Sequence, residues 1–516
     1  MKDFYVTTAI DYANGHPHIG HAYEKILADA IVRSRRLEGM RCHFLTGLDE
    51  HGQKVEETAR AKAMEPKALC NGVAEEFQRM CSQFHVAYDD YVRTSEQRHR
   101  SVVCSILDRL YRTGEIYRAS YVGMYSVRAE QFVQEKDKVN GEWPEDLGEP
   151  VQLEETNYFF RLSKYQDWLV DYLKKNPHFI FPSFRQKQVV EFLKEPINDL
   201  CISRPKSRIS WGIELPFDNE YVTYVWFDAL INYISAIGYG TEKFSNLWPA
   251  NMQVIGKDIL IPAHAIYWPI MLHALSIEPP QQLIVHGWWL AGGGVKMSKS
   301  LGNAIEPLSY GELYGGDAFR FFVLMEMATG QDSNFSHDLF VARYNSDLAN
   351  GLGNLLSRLM QMVGAYCGGA IPKWEMATAL SQEVADAAKT MVHAVRRSYR
   401  DLDFSGGMRE IFTFIALLNR FVEMEAPWKL AKMEGEGARK HLHGTLHVLA
   451  EGIRISTDLL RPIMPEICKK IFSLLGVGAC ATWNVLDWDG TVAESKMGER
   501  TILFPKIERE EKIAVS

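Results

Sequence analysis

The 516-residue sequence predicts an α/β architecture in which one parallel sheet is split by an insertion and followed by an all-α helical bundle. Three observations carry this. Short apolar runs alternate with helical patterns over the first hundred residues. A charged, aromatic stretch at 113–205 breaks that alternation. From residue 342 onward, leucines recur at steps of three and four. Alternating strands and helices imply parallel pairing, and ligands then bind beyond the carboxyl ends of the strands.

The elements follow in order. Residues 4–10 are β-branched and aromatic and read as a strand. They lead through the turn-forming Asn14-Gly15-His16-Pro17 into a helix at about 18–37. A second strand at 40–46 runs into Gly47-Leu48-Asp49-Glu50-His51-Gly52 and another helix. Both His18–His21 and Asp49–His51 therefore fall at strand ends. The aromatic stretch (Tyr117, Tyr121, Tyr125, Phe132, Trp143, Tyr158 among others) reads as inserted. The α/β pattern is expected to resume at 221–224, 252–255 and 282–286. Leu348, Leu352, Leu355, Leu359 and Met362, and later Leu442, Leu446, Leu449 and Ile453, mark amphipathic helices packing as a bundle.

The chain is too long for one core, and 47% hydrophobic with 24% charged residues is ordinary for a globular protein. A net charge of −8 argues against a protein that coats nucleic acid indiscriminately, which needs phosphate neutralisation. Local basic clusters exist at Arg33, Arg35 and Arg36 and at Arg204, Lys206 and Arg208. Residues 259–277 are apolar but contain Pro262, His264, Pro269 and His273, so a buried element is expected rather than a membrane span. Eight cysteines form no C-x-x-C pair, and a strand starts almost at once. A reducing, cytoplasmic setting without disulfides is the expectation.

Two segments carry chemistry. His18 and His21 lie one turn apart at a helix N-terminus, where unpaired amides and the dipole favour an anion. With Gly20 between them they suit nucleotide phosphates. Lys296-Met297-Ser298-Lys299-Ser300 follows three glycines and offers paired ammoniums on a loop able to close. Positive charge placed there stabilises a leaving pyrophosphate. Either segment alone could be an ordinary surface feature; in this order they point to a carboxylate activated by ATP.

The two segments resemble the signatures of class I aminoacyl-tRNA synthetases. The surrounding sequence resembles the methionyl-tRNA synthetase family from about residue 4 to 470. The further motifs are Val6-Thr7-Thr8-Ala9-Ile10, Tyr12-Ala13-Asn14-Gly15, Thr46–Gly52, Ile202-Ser203-Arg204, Trp211-Gly212-Ile213, Val225-Trp226-Phe227-Asp228-Ala229 with Tyr233, Gly256-Lys257-Asp258-Ile259, Leu352-Gly353-Asn354-Leu355 and Ala426-Pro427-Trp428. The resemblance implies a Rossmann-like catalytic domain in halves at 1–112 and 206–290, a connecting insertion at 113–205, a loop and stem-contact region at 291–341 and an anticodon-binding domain at 342–516. It implies His18, His21, Lys296 and Lys299 as catalytic phosphate-handling groups, with Gly20 and Ser298 also at ATP. It further implies a methionine pocket of Ile10, Tyr12, Asp49, Trp226, Ala229, Tyr233, Ile259 and His264. An aromatic pocket with a polar handle suits a thioether. Asp49 would hold the substrate ammonium, though it could equally cap a helix.

Asn354, Arg358 and Trp428 match the family's readers of a CAU anticodon; for Arg358 the alternative is a surface ion pair. ATP with Mg²⁺, methionine and tRNA(Met) are the implied partners, with a monomer expected for want of an appended dimerisation module. Three departures stand out. The segment Gly256 to His264 is one residue longer than usual, so Ile259 and Leu260 are interchangeable. Leu230 stands where many members have proline. Ser126 and Ala129 stand where relatives carry zinc-binding thiolates, so no structural zinc is expected. A synthetase for another apolar amino acid, a nucleotidyltransferase sharing the histidine motif and a tRNA-binding paralogue without catalysis remain alternatives at this point.

Overall fold

The computed structural model describes residues 3–126, 131–133, 138, 141–144, 147–297, 305–488 and 490–508. They divide into two compact units. The first comprises Met1–His16, Leu45–Phe77 and Asp89–Val285, and the second Pro17–Phe44, Gln78–Tyr88 and His286–Ser516.

The first unit is organised on a sheet of seven strands among the described residues, in the order Asp11–Tyr12, Cys42–Asp49, Phe4–Thr8, Met252–Gly256, Leu283–His286, Ile180–Phe181, with Asp90–Arg93 also paired to Cys42–Asp49. Pairing is parallel, with Val6 opposite Met252 and Leu45 opposite Asp90. Gly47 permits that last pairing: a Cβ there would lie 2.0 Å from the carbonyl oxygen of Val92. Strands buried on both sides should read as continuous apolar runs, and Met252–Gly256 and Leu283–His286 are buried throughout.

Two strands fall otherwise than the sequence suggested. Ile180–Phe181, within the segment expected to be wholly inserted, pairs parallel with Leu283–His286 and extends the central sheet. A two-residue strand is too short to register as a periodic pattern. Conversely, Asp218–Thr223, read as part of the resumed α/β pattern, runs antiparallel between Ser203–Pro205 and Glu214–Leu215 in a separate small sheet. Its apolar end buries against the same core, so composition alone gave it the look of a central strand.

Among the described residues the insertion contains a four-stranded antiparallel sheet, with Ile116–Ser126 paired along its length to Val151–Phe160. At its end the Tyr125 ring lies under two guanidiniums, Arg208 at 4.1 Å and Arg204 at 5.2 Å, and Arg204 also covers Tyr224 at 4.7 Å. Ser126 is buried and donates its hydroxyl to the carbonyl of Leu147 at 2.5 Å. Ala129 lies outside the described residues.

The second unit contains helix Ile19–Leu37 and the helices Gly316–Glu326, Asn354–Cys367, Ala379–Arg400, Phe404–Glu425, Glu436–Leu460 and Pro465–Leu475. All nine of the residues whose spacing predicted the bundle are buried. The fully buried Arg320 donates to the carbonyls of Phe84, Pro462 and Ile463 and pairs with Asp29 of Ile19–Leu37 at 2.7 Å. Among the described residues no helix is long and apolar enough to cross a membrane.

Candidate active site

In the first unit, parallel pairing sets Tyr12 directly opposite Asp49, and the Ala13 amide donates to the Asp49 carbonyl at 2.9 Å. Asp49 is buried. It does not cap the next helix, because Gly52 occupies the cap of Gln53–Ala61. Its neighbours in sequence are held on all sides. The Glu50 amide donates to Thr94 Oγ1 at 2.9 Å, its carbonyl accepts the Trp211 indole N–H, and its buried carboxylate is met by Arg93, Ser95 and Lys67.

His51 points instead into the protein, with Nδ1 2.5 Å from Asp228 Oδ2. The other oxygen of Asp228 meets His99 Nε2 at 2.6 Å, and His99 Nδ1 meets Ser235 Oγ at 2.7 Å. Burial alone would raise the Asp228 carboxyl, but the charge and hydrogen bonds of His51 and His99 outweigh it and hold its pKa at about 2. Asp228 thus ties helix Val225–Leu230, which carries Trp226 and Ala229, to the strand end that carries Asp49. The sequence motifs contained His51 and Asp228 but not their partnership, and His99 was missed. The available signal was an acid within the apolar run Val225–Leu230.

Ala229, Tyr233 and His264 are buried, while Ile10, Tyr12, Trp226 and Ile259 are half-buried against the same core. His264 Nδ1 donates to the Ile259 carbonyl at 2.9 Å. Its Nε2 therefore accepts, and takes the Tyr233 hydroxyl at 2.7 Å. Both ring nitrogens thus have protein partners. The Trp226 ring stands edge-on to His264, centroids 6.3 Å apart. Leu260 sits in the core, whereas Ile259 keeps part of its surface exposed.

In the second unit His18 is the N-cap of helix Ile19–Leu37. Its Nδ1 accepts the amides of Gly20 (3.1 Å) and His21 (3.4 Å), while His21 Nδ1 accepts the His18 amide at 3.2 Å. The rings stack with centroids 3.6 Å apart. This is a capping box built from two imidazoles. With both Nδ1 atoms accepting, each neutral ring carries its proton on Nε2. Gly20 is what makes the arrangement fit, since a Cβ there would lie 3.0 Å from the His18 ring. Behind them Glu24 is buried between Lys25 (2.9 Å) and His286 (3.2 Å). These partners overcome the burial that would raise its carboxyl, and its pKa is lowered.

Lys296 ends a hairpin in which Val295–Lys296 pairs antiparallel with Trp289–Ala291, and Gly293 and Gly294 take the positive φ values its turn requires. Ser298 and Lys299 lie outside the described residues. In the bundle, Arg358 pairs with Glu423 at 2.7 Å and sits 5.6 Å from the Trp428 ring. The ion pair weighed for Arg358 is present, and the guanidinium also lies beside the Trp428 ring. Asn354 is exposed one turn before it on the same helix.

The family described as "tRNA synthetases class I (M)" matches residues 4–149 and 146–360. The chain is 42% identical to the methionine–tRNA ligase of Deinococcus radiodurans, over 98% of this chain and 75% of that one. It is 40% identical to that of Caldanaerobacter subterraneus subsp. tengcongensis, over 99% and 80%. Its fold is similar to Mycobacterium tuberculosis methionyl-tRNA synthetase in complex with methionyl-adenylate, with a TM-score of 0.92 at 37% identity over 98% of this chain and 100% of that chain. The chain belongs to the class I aminoacyl-tRNA synthetases, in their methionine–tRNA ligase family.

Proposed function

We infer that the chain activates methionine with Mg²⁺-bound ATP, releasing pyrophosphate, and then transfers the methionyl group from the adenylate to the 3′-terminal adenosine of tRNA(Met). The observation that carries the first step is the reciprocal cap of His18 and His21. By fixing both Nδ1 atoms as acceptors it sets the proton of each neutral ring on Nε2, the tautomer that suits phosphate oxygens at a helix N-terminus. Lys296 and Lys299, with Ser298, take up the charge that develops on the departing pyrophosphate. Asp49 holds the substrate ammonium and so aims its carboxylate at the α-phosphate. Ile10, Tyr12, Trp226, Ala229, Tyr233, Ile259 and His264 receive the thioether. No side-chain nucleophile is needed; positioning and charge stabilisation carry both steps.

Asn354, Arg358 and Trp428 read the anticodon, Trp428 by stacking. The insertion requires no zinc, because the serine at 126 and the alanine at 129 are not thiolates and the Tyr125–Arg204–Arg208 stack supports the insertion's sheet. Eight free cysteines suit a reducing cytoplasm. Pyrophosphate exchange measured with each of the twenty amino acids tests the assignment. Methionine should stimulate exchange far above the others, and stimulation by another apolar amino acid in its place would overturn it.

A further inference from the structure

We propose that Glu425, His441 and Thr378 form a positioning device for Trp428, setting the plane on which an unpaired RNA base stacks; the proposal rests on the anticodon reading of Trp428 given above. Glu425 is the last residue of helix Phe404–Glu425, and its side chain is only 8% exposed. One oxygen, Oε1, accepts the Thr378 hydroxyl at 3.2 Å. That same hydroxyl accepts the Ser381 amide at 3.0 Å and so caps the neighbouring helix Ala379–Arg400. The other oxygen, Oε2, meets His441 Nε2 on helix Glu436–Leu460. Three helices therefore converge on one carboxylate.

The stacking residue lies just beyond that carboxylate in the chain. Ala426 takes a left-handed conformation (φ 45°, ψ 58°), unusual for a residue with a Cβ. Pro427 then opens the short helix Pro427–Leu430 that carries Trp428. The direction in which Trp428 leaves the bundle is set within three residues of Glu425. A strained backbone persists only where its surroundings over-determine it, and the two bonds to Glu425 supply that constraint. A helix-end acid serving only as a surface charge would lie in solvent; this one is enclosed. Stacking on an aromatic ring depends on the ring's attitude, so loosening the anchor should weaken tRNA binding without touching amino-acid activation.

The test uses the full chain, comparing charging of tRNA(Met) with methionine-dependent pyrophosphate exchange. Glu425→Ala should lower kcat/KM for tRNA about tenfold, mostly through KM, the loss expected when a base-stacking contact worth a fraction of its full value is misaligned. Exchange should stay unchanged. Glu425→Gln should rescue charging, because its carbonyl accepts from His441 and its amide donates to the Thr378 hydroxyl. His441→Leu should reproduce the loss. Adding Glu425→Ala to Trp428→Ala should cost nothing further, since the anchor acts only through the ring. If Trp428→Ala impairs charging while Glu425→Ala and His441→Leu do not, the positioning role is overturned and the anticodon reading stands. If Trp428→Ala leaves charging intact, both fall together. Should Glu425→Ala also lose exchange, its fold has been lost and His441→Leu decides.

Discussion

Around Asp228 and around Arg358 the chain pairs acid with base in opposite settings. Asp228 is fully buried, each oxygen is bonded to a different histidine, and one of those histidines is bonded onward to Ser235. Arg358 is partly exposed and shares one contact with Glu423, which is 61% exposed. The first arrangement suits recognition of a small ligand, where a displacement of an ångström in a pocket wall degrades the fit. The second suits a large, hydrated, charged partner whose arrival replaces solvent and counter-ions rather than filling a preformed cavity. The difference teaches that the ligand, rather than the residue types, decides how tightly a polar group is fixed.

Removing the Asp228 carboxylate is the strongest way to break that contrast. Asp228→Ala leaves two buried imidazoles facing a void and uncouples the Trp226 helix from the strand that carries Asp49. Breaking a buried pair on one side costs on the order of 3–5 kcal/mol. Urea unfolding should show a loss of that size, and methionine KM in pyrophosphate exchange should rise steeply in whatever fraction stays folded. A change in urea midpoint no larger than that of an exposed-pair variant would remove the basis of the comparison.

The acid side of the pH–stability curve gives a second, smaller test. In the folded chain the Asp228 carboxyl titrates at about 2, below the ordinary range near 4. A lowered folded pKa means that its contribution is fully present above the unfolded value and is lost as pH falls from about 4 through about 2. A shift of roughly two units corresponds to about 2–3 kcal/mol. Stability measured across that window should fall less in Asp228→Asn than in the parent chain. Parallel curves for the two would show that Asp228 is not held ionised by His51 and His99.

Much of this chain could be read from its sequence, for identifiable reasons. Leu348 to Met362 keep a helical period over four turns, and burial follows the period. The strands at Phe4–Thr8 and Met252–Gly256 are rich in aromatic, β-branched and aliphatic residues and almost wholly buried, as a parallel sheet covered on both faces requires. Ile180–Phe181 was not legible, because its place is set by pairing with a strand a hundred residues away. His99 was not legible either: a single histidine in an amphipathic helix looks the same whether it faces a core leucine or Asp228. The capping box of His18 and His21 was half legible. Spacing put the two rings on one face, while the use of each Nδ1 to cap the other's backbone depends on a rotamer and on the space Gly20 leaves. At His264 the residue type suggested a polar handle in an aromatic pocket, while the bonds of its two ring nitrogens to Ile259 and Tyr233 depend on local geometry that spacing does not carry.

The smallest effect is expected at the exposed pair. Arg358→Ala removes the contact with Glu423 and the cation lying over Trp428, yet both partners keep access to water, so its stability cost should be within about 1 kcal/mol. That small cost makes the variant informative, because any change in charging then reports on the RNA rather than on the fold. If Arg358 reads an anticodon base, its loss should weaken tRNA binding and relax discrimination at that base with little change in the slope of log KM against log salt, while leaving pyrophosphate exchange at the parental rate. A slope shallower by about one counter-ion with discrimination intact would mean that Arg358 meets a phosphate instead of a base edge. A variant that unfolds as readily as Asp228→Ala would mean that the Arg358–Glu423 pair is as rigidly committed as the Asp228 cluster, and the difference between the two settings would be gone.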